Sequence, residues 1–357
     1  VQPATILITG GAGFVGSNLA VYLKRRSPVT RVVAFDNLKR RGSELNPPRL
    51  REVGVEFIHG DIRNPADLEC AVDADLLLEC AAEPSVLAGF GASPEYVIQT
   101  NLVGTLNLLE YCRRRATRLI FLSTSRVYSI ASLCAVALEE SSSRFEIAAE
   151  QQIPGVSREG ITEAFPVAGP RSLYGATKLA SELFIEEYGY AYGLQAIINR
   201  CGVIAGPWQM GRIDQGFVVL WLARHLYRGE LSYIGFNGSG KQVRDVLHID
   251  DLCDLIALQI AGFERLQGQL FNVGGGRQVS VSLMELTRLC REVAGTTIPI
   301  HRAVEGRQAD VPIYLSDMTR VREVLGWAPQ RDVRTLVRDT YEWLHAHREA
   351  LAPILTA

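Results

Sequence analysis

The sequence has almost no excess charge of either sign: 37 Lys and Arg stand against 39 Asp and Glu, a formal net charge of −2 over 357 residues. A surface of mixed sign offers polyanions no broad attraction, which argues against nucleic acid and acidic membrane and leaves a small ligand as the default partner. No apolar stretch approaches the ~20 residues needed to span a bilayer. Val1-Gln2-Pro3 leads straight into a strand-like segment, without the charged region, apolar region and cleavage site of a secretory signal. The seven cysteines, at 70, 80, 112, 134, 201, 253 and 290, include no Cys-x-x-Cys spacing, and several sit in apolar runs where a free thiol behaves as a small hydrophobe. There is no internal repeat and no low-complexity tract. These absences predict a soluble, cytoplasmic protein that folds without disulfides or a metal.

What is present is an alternation. Thr5 to Thr9 is a β-branched apolar run, followed by a glycine cluster and then a helical pattern from Phe14 to Leu23. Strand signals recur at Arg31 to Asp36, Glu56 to Asp61, Ala74 to Cys80, Arg118 to Ser123 and Leu194 to Arg200, with helical patterns between them at 65–72, 95–115 and 175–192. Strands alternating with helices predict βαβ units and a mostly parallel sheet covered on both faces. After Cys201 the pattern loosens, and helices return at 215–228, 250–262, 282–294 and 332–347. The reading is a first domain over 1–200 and a smaller, mainly substrate-binding lobe over 201–357, with 245–275 returning to the first domain. Residues 129–169 form a polar, proline-containing stretch. A structureless insertion of that length is usually functional, and a lid over the active site is expected.

Thr9-Gly10-Gly11-Ala12-Gly13-Phe14-Val15-Gly16 sits between the first strand and the first helix. Gly10 suits a tight turn, Gly13 a close approach of backbone to pyrophosphate, and Gly16 close packing of helix and strand; the helix N-terminus offers unpaired N–H groups to the anion. Asp36 ends the second strand about twenty residues on, where a carboxylate accepts the ribose hydroxyls of NAD and repels a 2′-phosphate. Lys39, Arg40 and Arg41 are cations that a 2′-phosphate would use, so NADP stays open on residues alone. Asp61 reads either as an acceptor on the adenine side or as a strand-end turn residue.

Tyr174 and Lys178 stand four apart, which on a helix is one face. A phenol with a pKa near ~10 acts as a base at neutral pH only beside a positive charge, and Lys178 with an oxidised nicotinamide supplies one. Thr124, at a strand end, is placed to hydrogen-bond the same substrate oxygen. Such a pair alone usually marks a solvated face; the upstream cradle and the strand-terminal Ser123-Thr124-Ser125 favour chemistry.

With these residues, Asp61-Ile62, Asn101-x-x-Gly104-Thr-x-Asn-Leu-Leu-Glu110, Ser-Thr-x-x-Val-Tyr128 and Arg200 followed by Gly206-Pro207, the chain resembles the extended short-chain dehydrogenase/reductases over its whole length. The resemblance implies a Rossmann-type doubly wound parallel sheet and NAD held by Gly10, Gly13, Phe14, Val15, Gly16, Asp36, Asn37, Asp61, Ile62, Ala81, Asn101, Tyr174 and Lys178. It implies catalysis by Thr124, Tyr174 and Lys178 on a nucleotide-diphosphate sugar touched by Ser125, Arg126, Gln215, Arg244, Arg307 and Asp310, and a homodimer built on two paired helices.

The 4,6-dehydratases of that family carry an acid one or two places after the active-site Thr, where this chain has Ser125 and Arg126, so dehydration is disfavoured. Phe35-Asp-Asn-Leu-x-Arg40-x-Gly42, Asp214-Gln215-Gly216-Phe217 and Lys241-Gln-Val-Arg-Asp-Val-Leu-His248 are similar to the CDP-paratose (CDP-tyvelose) 2-epimerases. In these the arginine, here Arg244, binds the diphosphate; an ion pair of Arg244 with Asp245 or Asp250 is the alternative. The expected function is C2 epimerisation of a CDP-linked deoxysugar. A C4 epimerase, a sugar reductase or dehydrogenase, and a non-catalytic NAD sensor or scaffold are the competing readings.

Overall fold

The computed structural model describes residues 2–212, 215–306 and 309–356. Seven strands form one sheet: β1 (Thr5–Thr9), β2 (Arg31–Asp36), β3 (Glu56–His59), β4 (Leu76–Glu79), β5 (Arg118–Thr124), β6 (Ala196–Cys201) and β7 (Leu270–Val273), in the order β7-β6-β5-β4-β1-β2-β3. β1 pairs in parallel with β2 and with β4, β2 with β3, and β4 with β5. Both faces of such a sheet are covered, which is why Ile6 to Ile8, Leu76 to Leu78 and Leu119 to Phe121 are apolar without alternation and buried. The order reverses between β1 and β4, the place where doubly wound sheets bind ligands beyond the carboxyl ends of their strands. The sheet is thus the Rossmann-type arrangement that the alternation and the resemblance predict.

Three helices position the site: α1 (Phe14–Arg26), α2 (Gly104–Arg115) and α3 (Leu173–Tyr192). The single helix expected over 95–115 is interrupted, since Gln99–Val103 is a π-turn between Glu95–Ile98 and α2. Such widened turns gather at functional sites because they re-aim one residue out of the helical ladder. Asn101 lies at the middle of this π-turn.

The chain divides into two compact units, Val1–Val127 with Leu173–Arg200 and Leu252–Phe271, and Tyr128–Ser172 with Cys201–Asp251 and Asn272–Ala357. The insertion at 129–169, counted above with the first domain and as a structureless lid, differs on both points. It groups with the second unit, which makes the two units similar in length. It also has structure of its own: a helix Ile130–Cys134 and antiparallel hairpins Leu138–Glu140 with Phe145–Ile147 and Val156–Ser157 with Gly160–Ile161.

Anchors from the rest of the second unit explain why this polar stretch is ordered. The Phe145 N–H donates to the Lys241 carbonyl at 3.0 Å, Lys241 Nζ reaches Glu140 at 2.7 Å, and Arg144 Nη2 donates to Ser280 Oγ at 2.6 Å. The Ile161 N–H and carbonyl bond to Leu315 and Asp317. These partners lie more than ninety residues away in sequence and leave no local signal. Among the described residues no helix is long and apolar enough to cross a membrane.

Candidate active site

The glycine turn leaves β1 at the switch point. Gly10 has φ +64°, and a Cβ on it would lie 2.8 Å from the Ala81 backbone, so turn and packing both demand glycine there. Ala81, expected at the cofactor, is therefore the backbone wall behind the turn. A Cβ on Gly16 would come within 2.2 Å of the Gly10 carbonyl oxygen, so Gly16 lets α1 close on the turn itself. Gly13 differs: beyond the Gly10 carbonyl, at 3.1 Å and 4.0 Å, its missing Cβ faces nothing within 4 Å. Among these three glycines it alone leaves an open approach.

Gly13 is also the N-cap of α1, with no side-chain cap and no acid in the first turn formed by Phe14 and Val15. The orphan N–H groups of that turn are a ready site for an anion. Asp36 ties β2 to the turn by accepting from Ala12 N–H at 3.1 Å and Leu38 N–H at 2.7 Å. Burial pushes the Asp36 carboxyl above its ordinary range, against the pull of the Leu38, Ala12 and Gly13 N–H groups.

Next to it, Asn37 Nδ2 donates to Asp61 at 2.9 Å, and Arg63 folds back on Asp61 at 2.6 Å, which drops the Asp61 pKa to about 2. Ile62 is buried, its Cδ1 filling the space left by the absent side chain of Gly104. Asn101 is fully buried and spends both ends of its amide on Glu83, accepting from its N–H at 2.7 Å and donating to its carbonyl at 3.0 Å. It shapes the loop after β4. An open glycine, an uncapped helix N-terminus and a carboxylate at the end of β2 fit the pyrophosphate and ribose of NAD.

Beyond β5, Thr124 Oγ1 accepts the Arg126 N–H at 3.2 Å in the 3₁₀ turn Ser125–Val127, so Ser125 and Arg126 are fixed beside the strand end. Tyr174 opens the first turn of α3, and Lys178 follows one turn later. The solvated face that a Tyr and Lys four apart usually mark is not what forms here: Lys178 is 2% exposed. Its Nζ donates to the Leu122 carbonyl at 2.9 Å and lies over the Phe121 ring, 4.3 Å from the centroid. A carbonyl and an aromatic face both favour the ammonium form. The arrangement sets a fixed cation one helical turn from a phenol, the requirement for a phenol to act as a base.

Residues 6–274 match the NAD dependent epimerase/dehydratase family. The chain belongs to that family. Its cofactor is accordingly NAD, and the enzymes of the family are epimerases and dehydratases. It is 29% identical to the CDP-paratose 2-epimerase of Salmonella typhi over 95% of this chain and 98% of that protein. With a dTDP-glucose 4,6-dehydratase from an Actinoplanes species it shares 28% identity over 96% of this chain and 98% of the other. The crystal structure of Thermus thermophilus UDP-glucose 4-epimerase in complex with NAD superposes with a TM-score of 0.77 at 27% identity, covering 96% of this chain and 99% of that one.

Two further features of this family member escape the sequence reading. Glu182, one turn beyond Lys178, is buried and salt-bridged to buried Arg200 at 2.7 Å, and Ser123 Oγ donates to its other oxygen. The spacing 174, 178, 182 was the available signal, since it extends the Tyr–Lys face by one more polar residue. Glu79, at the end of β4, is fully buried without having been singled out as a site residue.

In the second unit, Arg244 pairs with neither Asp245 nor Asp250. Its Nη2 donates to Asp310 at 2.7 Å and to the Val311 carbonyl at 2.7 Å, and its Nη1 to the Val243 carbonyl at 2.8 Å. Two of the expected substrate contacts, Arg244 and Asp310, are thus each other's partners. Asp245 is instead a buried hub accepting the Ser316 and Gly276 N–H groups, its pKa raised to about 6 by burial. The Gln215 carbonyl accepts the Arg212 N–H at 2.7 Å. Arg307 and Asp214 lie outside the described residues.

Proposed function

We propose that this chain is a nucleotide-sugar epimerase that inverts C2 of a CDP-linked deoxysugar through a transient keto sugar. The observation that carries the epimerase reading is the Tyr174 and Lys178 pair beside a Thr124 turn whose next residues, Ser125 and Arg126, are not acids. Tyr174 removes the sugar hydroxyl proton; Lys178 stabilises the phenolate; Thr124 holds the same oxygen. NAD, when bound, supplies reversible acceptance of the hydride. Dehydration needs a further acid to protonate the leaving hydroxyl, and neither residue after Thr124 provides one. The C2 position and the cytidine nucleotide rest on the local likeness to the 2-epimerases, supported by the Salmonella relative. Arg244 is the proposed diphosphate anchor, held ready by Asp310 and two carbonyls, with Gln215 and Arg307 as further contacts.

Turnover in deuterium oxide tests this reading. Epimerised product with no carbon-bound deuterium is expected, because the hydride never meets water. Deuterium at the inverted carbon would mean proton abstraction and would sink the mechanism. Clean hydride return at C4 of another nucleotide sugar would keep the mechanism and replace the substrate.

The protein is further proposed to work as a cytoplasmic homodimer. All seven cysteines are free, which fits a reducing compartment. On α3 the side chains of Leu183, Phe184, Tyr190 and Tyr192 are exposed, Tyr190 by 92%. Exposed apolar side chains on one helix fit burial against a second copy. Light scattering should give twice the chain mass; a monomer at all concentrations would refute the dimer.

A further inference from the structure

Lys178 is an ammonium with almost no exposure, and a buried cation is retained only where an opposite charge or strong acceptors offset its lost hydration. The opposite charge lies one strand away. Glu79 is the register partner of Phe121, whose ring lies under Lys178 Nζ, and neighbouring strands run only about 4.8 Å apart. Lys178 acts electrostatically on Glu79.

The other neighbours of Glu79 can be named from each element packed around it. On β1 the register partner is Thr9, and α2 contributes Thr105 and Cys112. Burial and the Glu79 charge both push the Cys112 thiol up, so it stays neutral. Lys178 is the charged group that favours the ionised form of Glu79. Thr105 Oγ1 lies 2.5 Å from Glu79 Oε1, within the range of a hydroxyl donating to an ionised carboxylate. The Asn101 carbonyl, the other acceptor near that hydroxyl, has Ser181 Oγ at 3.1 Å as a second donor. Glu79 Oε2 is buried and has no hydrogen-bond partner among the described residues.

We propose that Glu79 is the buried counter-charge of Lys178, and that the pair, not Lys178 alone, sets what fraction of Tyr174 is phenolate. Glu79 is a positioning residue, acting on the base through Lys178, and the proposal rests on the reading of Tyr174 as that base. Burial, the largest influence, leaves the Glu79 pKa raised on balance, against Lys178 and the Thr105 hydroxyl, which lower it; within the proposal the carboxyl is taken as ionised on the ground of the ammonium beside it and the short Thr105 contact. A carboxylate beside Lys178 cancels part of the field felt by Tyr174. It keeps the phenol from ionising before a sugar hydroxyl is present to give up its proton.

The test is an ultraviolet phenolate titration of the NAD-loaded protein without sugar, with the Tyr174→Phe titration subtracted to isolate Tyr174. Glu79→Gln keeps the Thr105 contact and removes the charge. It is expected to lower the Tyr174 pKa by about one unit, roughly tenfold more phenolate at a given pH. Glu79→Asp, which keeps the charge, should titrate as wild type. An unchanged or raised Tyr174 pKa in Glu79→Gln would overturn the proposal.

Should Glu79→Gln not fold, infrared spectroscopy of the wild-type protein decides. Loss of every protonated-carboxyl band by about pH 8, well above ordinary carboxylate values, supports the counter-charge. A band that persists there and is assigned to Glu79 by isotope labelling overturns it. Because no sugar is present, failure to turn over any nucleotide sugar would remove the proposed function and leave this result standing.

Discussion

A Tyr174→Phe protein is expected to retain NAD at wild-type occupancy while its turnover falls by roughly 10²–10⁴-fold, the usual worth of a positioned general base. The phenol oxygen is the only atom removed, and Phe at the second position of α3 keeps the packing of the helix. The cradle, built from β1, α1 and β2, is untouched by the change. A loss of that size corresponds to about 3–5 kcal/mol of transition-state stabilisation. Occupancy is read from NAD released on denaturation, and turnover from product per enzyme at saturating nucleotide sugar. Undiminished turnover would remove Tyr174 from the chemistry, whatever the substrate. A parallel loss of NAD would instead assign Tyr174 to cofactor holding.

The second large effect is expected at Gly13. Its backbone, φ −73° and ψ 177°, is open to any L-residue, so Gly13→Val introduces no conformational strain. The new Cβ needs a shift of only a few tenths of an ångström from the Gly10 carbonyl. The branched side chain then projects where the pyrophosphate must approach the N–H groups of α1. NAD is expected to be absent from the purified variant, with its affinity reduced at least ~10²-fold and the melting temperature of the NAD-free form close to that of NAD-free wild type. Gly10→Val is the contrasting control: at φ +64°, against the Ala81 backbone, it should fail to fold rather than fold empty. NAD retained at wild-type occupancy by Gly13→Val would place the cofactor elsewhere.

The fold was legible, and so were the local parts of the candidate site, because their signals are local. Strand and helix periods, the glycine turn and the Tyr174 to Lys178 spacing each occupy one short consecutive stretch of residues. What escaped depends on residues distant in sequence. Arg244 and Asp310 are 66 apart, and each also looks like a ligand contact, so no spacing rule joins them. Glu79 lies at the end of an apolar strand, and its spacing to Lys178 in the sequence gives no sign that both are buried. The order of the 129–169 segment comes from Lys241, Ser280, Leu315 and Asp317. Its own residues lack the apolar period that would have announced two hairpins. Glu182 is the exception, a miss that the sequence itself allowed to be avoided.

The interleaving of the two units has a consequence for how the chain is made. The unit that carries the glycine cradle is assembled from three stretches, the last of them Leu252–Phe271, which includes most of the helix Ile249–Ala261 and the start of β7. A ribosome adding roughly 5–20 residues per second has therefore to pass from Cys201, the end of β6, to Leu270, the start of β7, before the edge of the central sheet can close. Until then the nascent chain exposes an unpaired strand edge on β6, a template for wrong pairing. Neither unit can be released intact by a single protease cut, nor expressed alone by truncating the gene. Dissecting the two would require a circularly permuted or spliced chain.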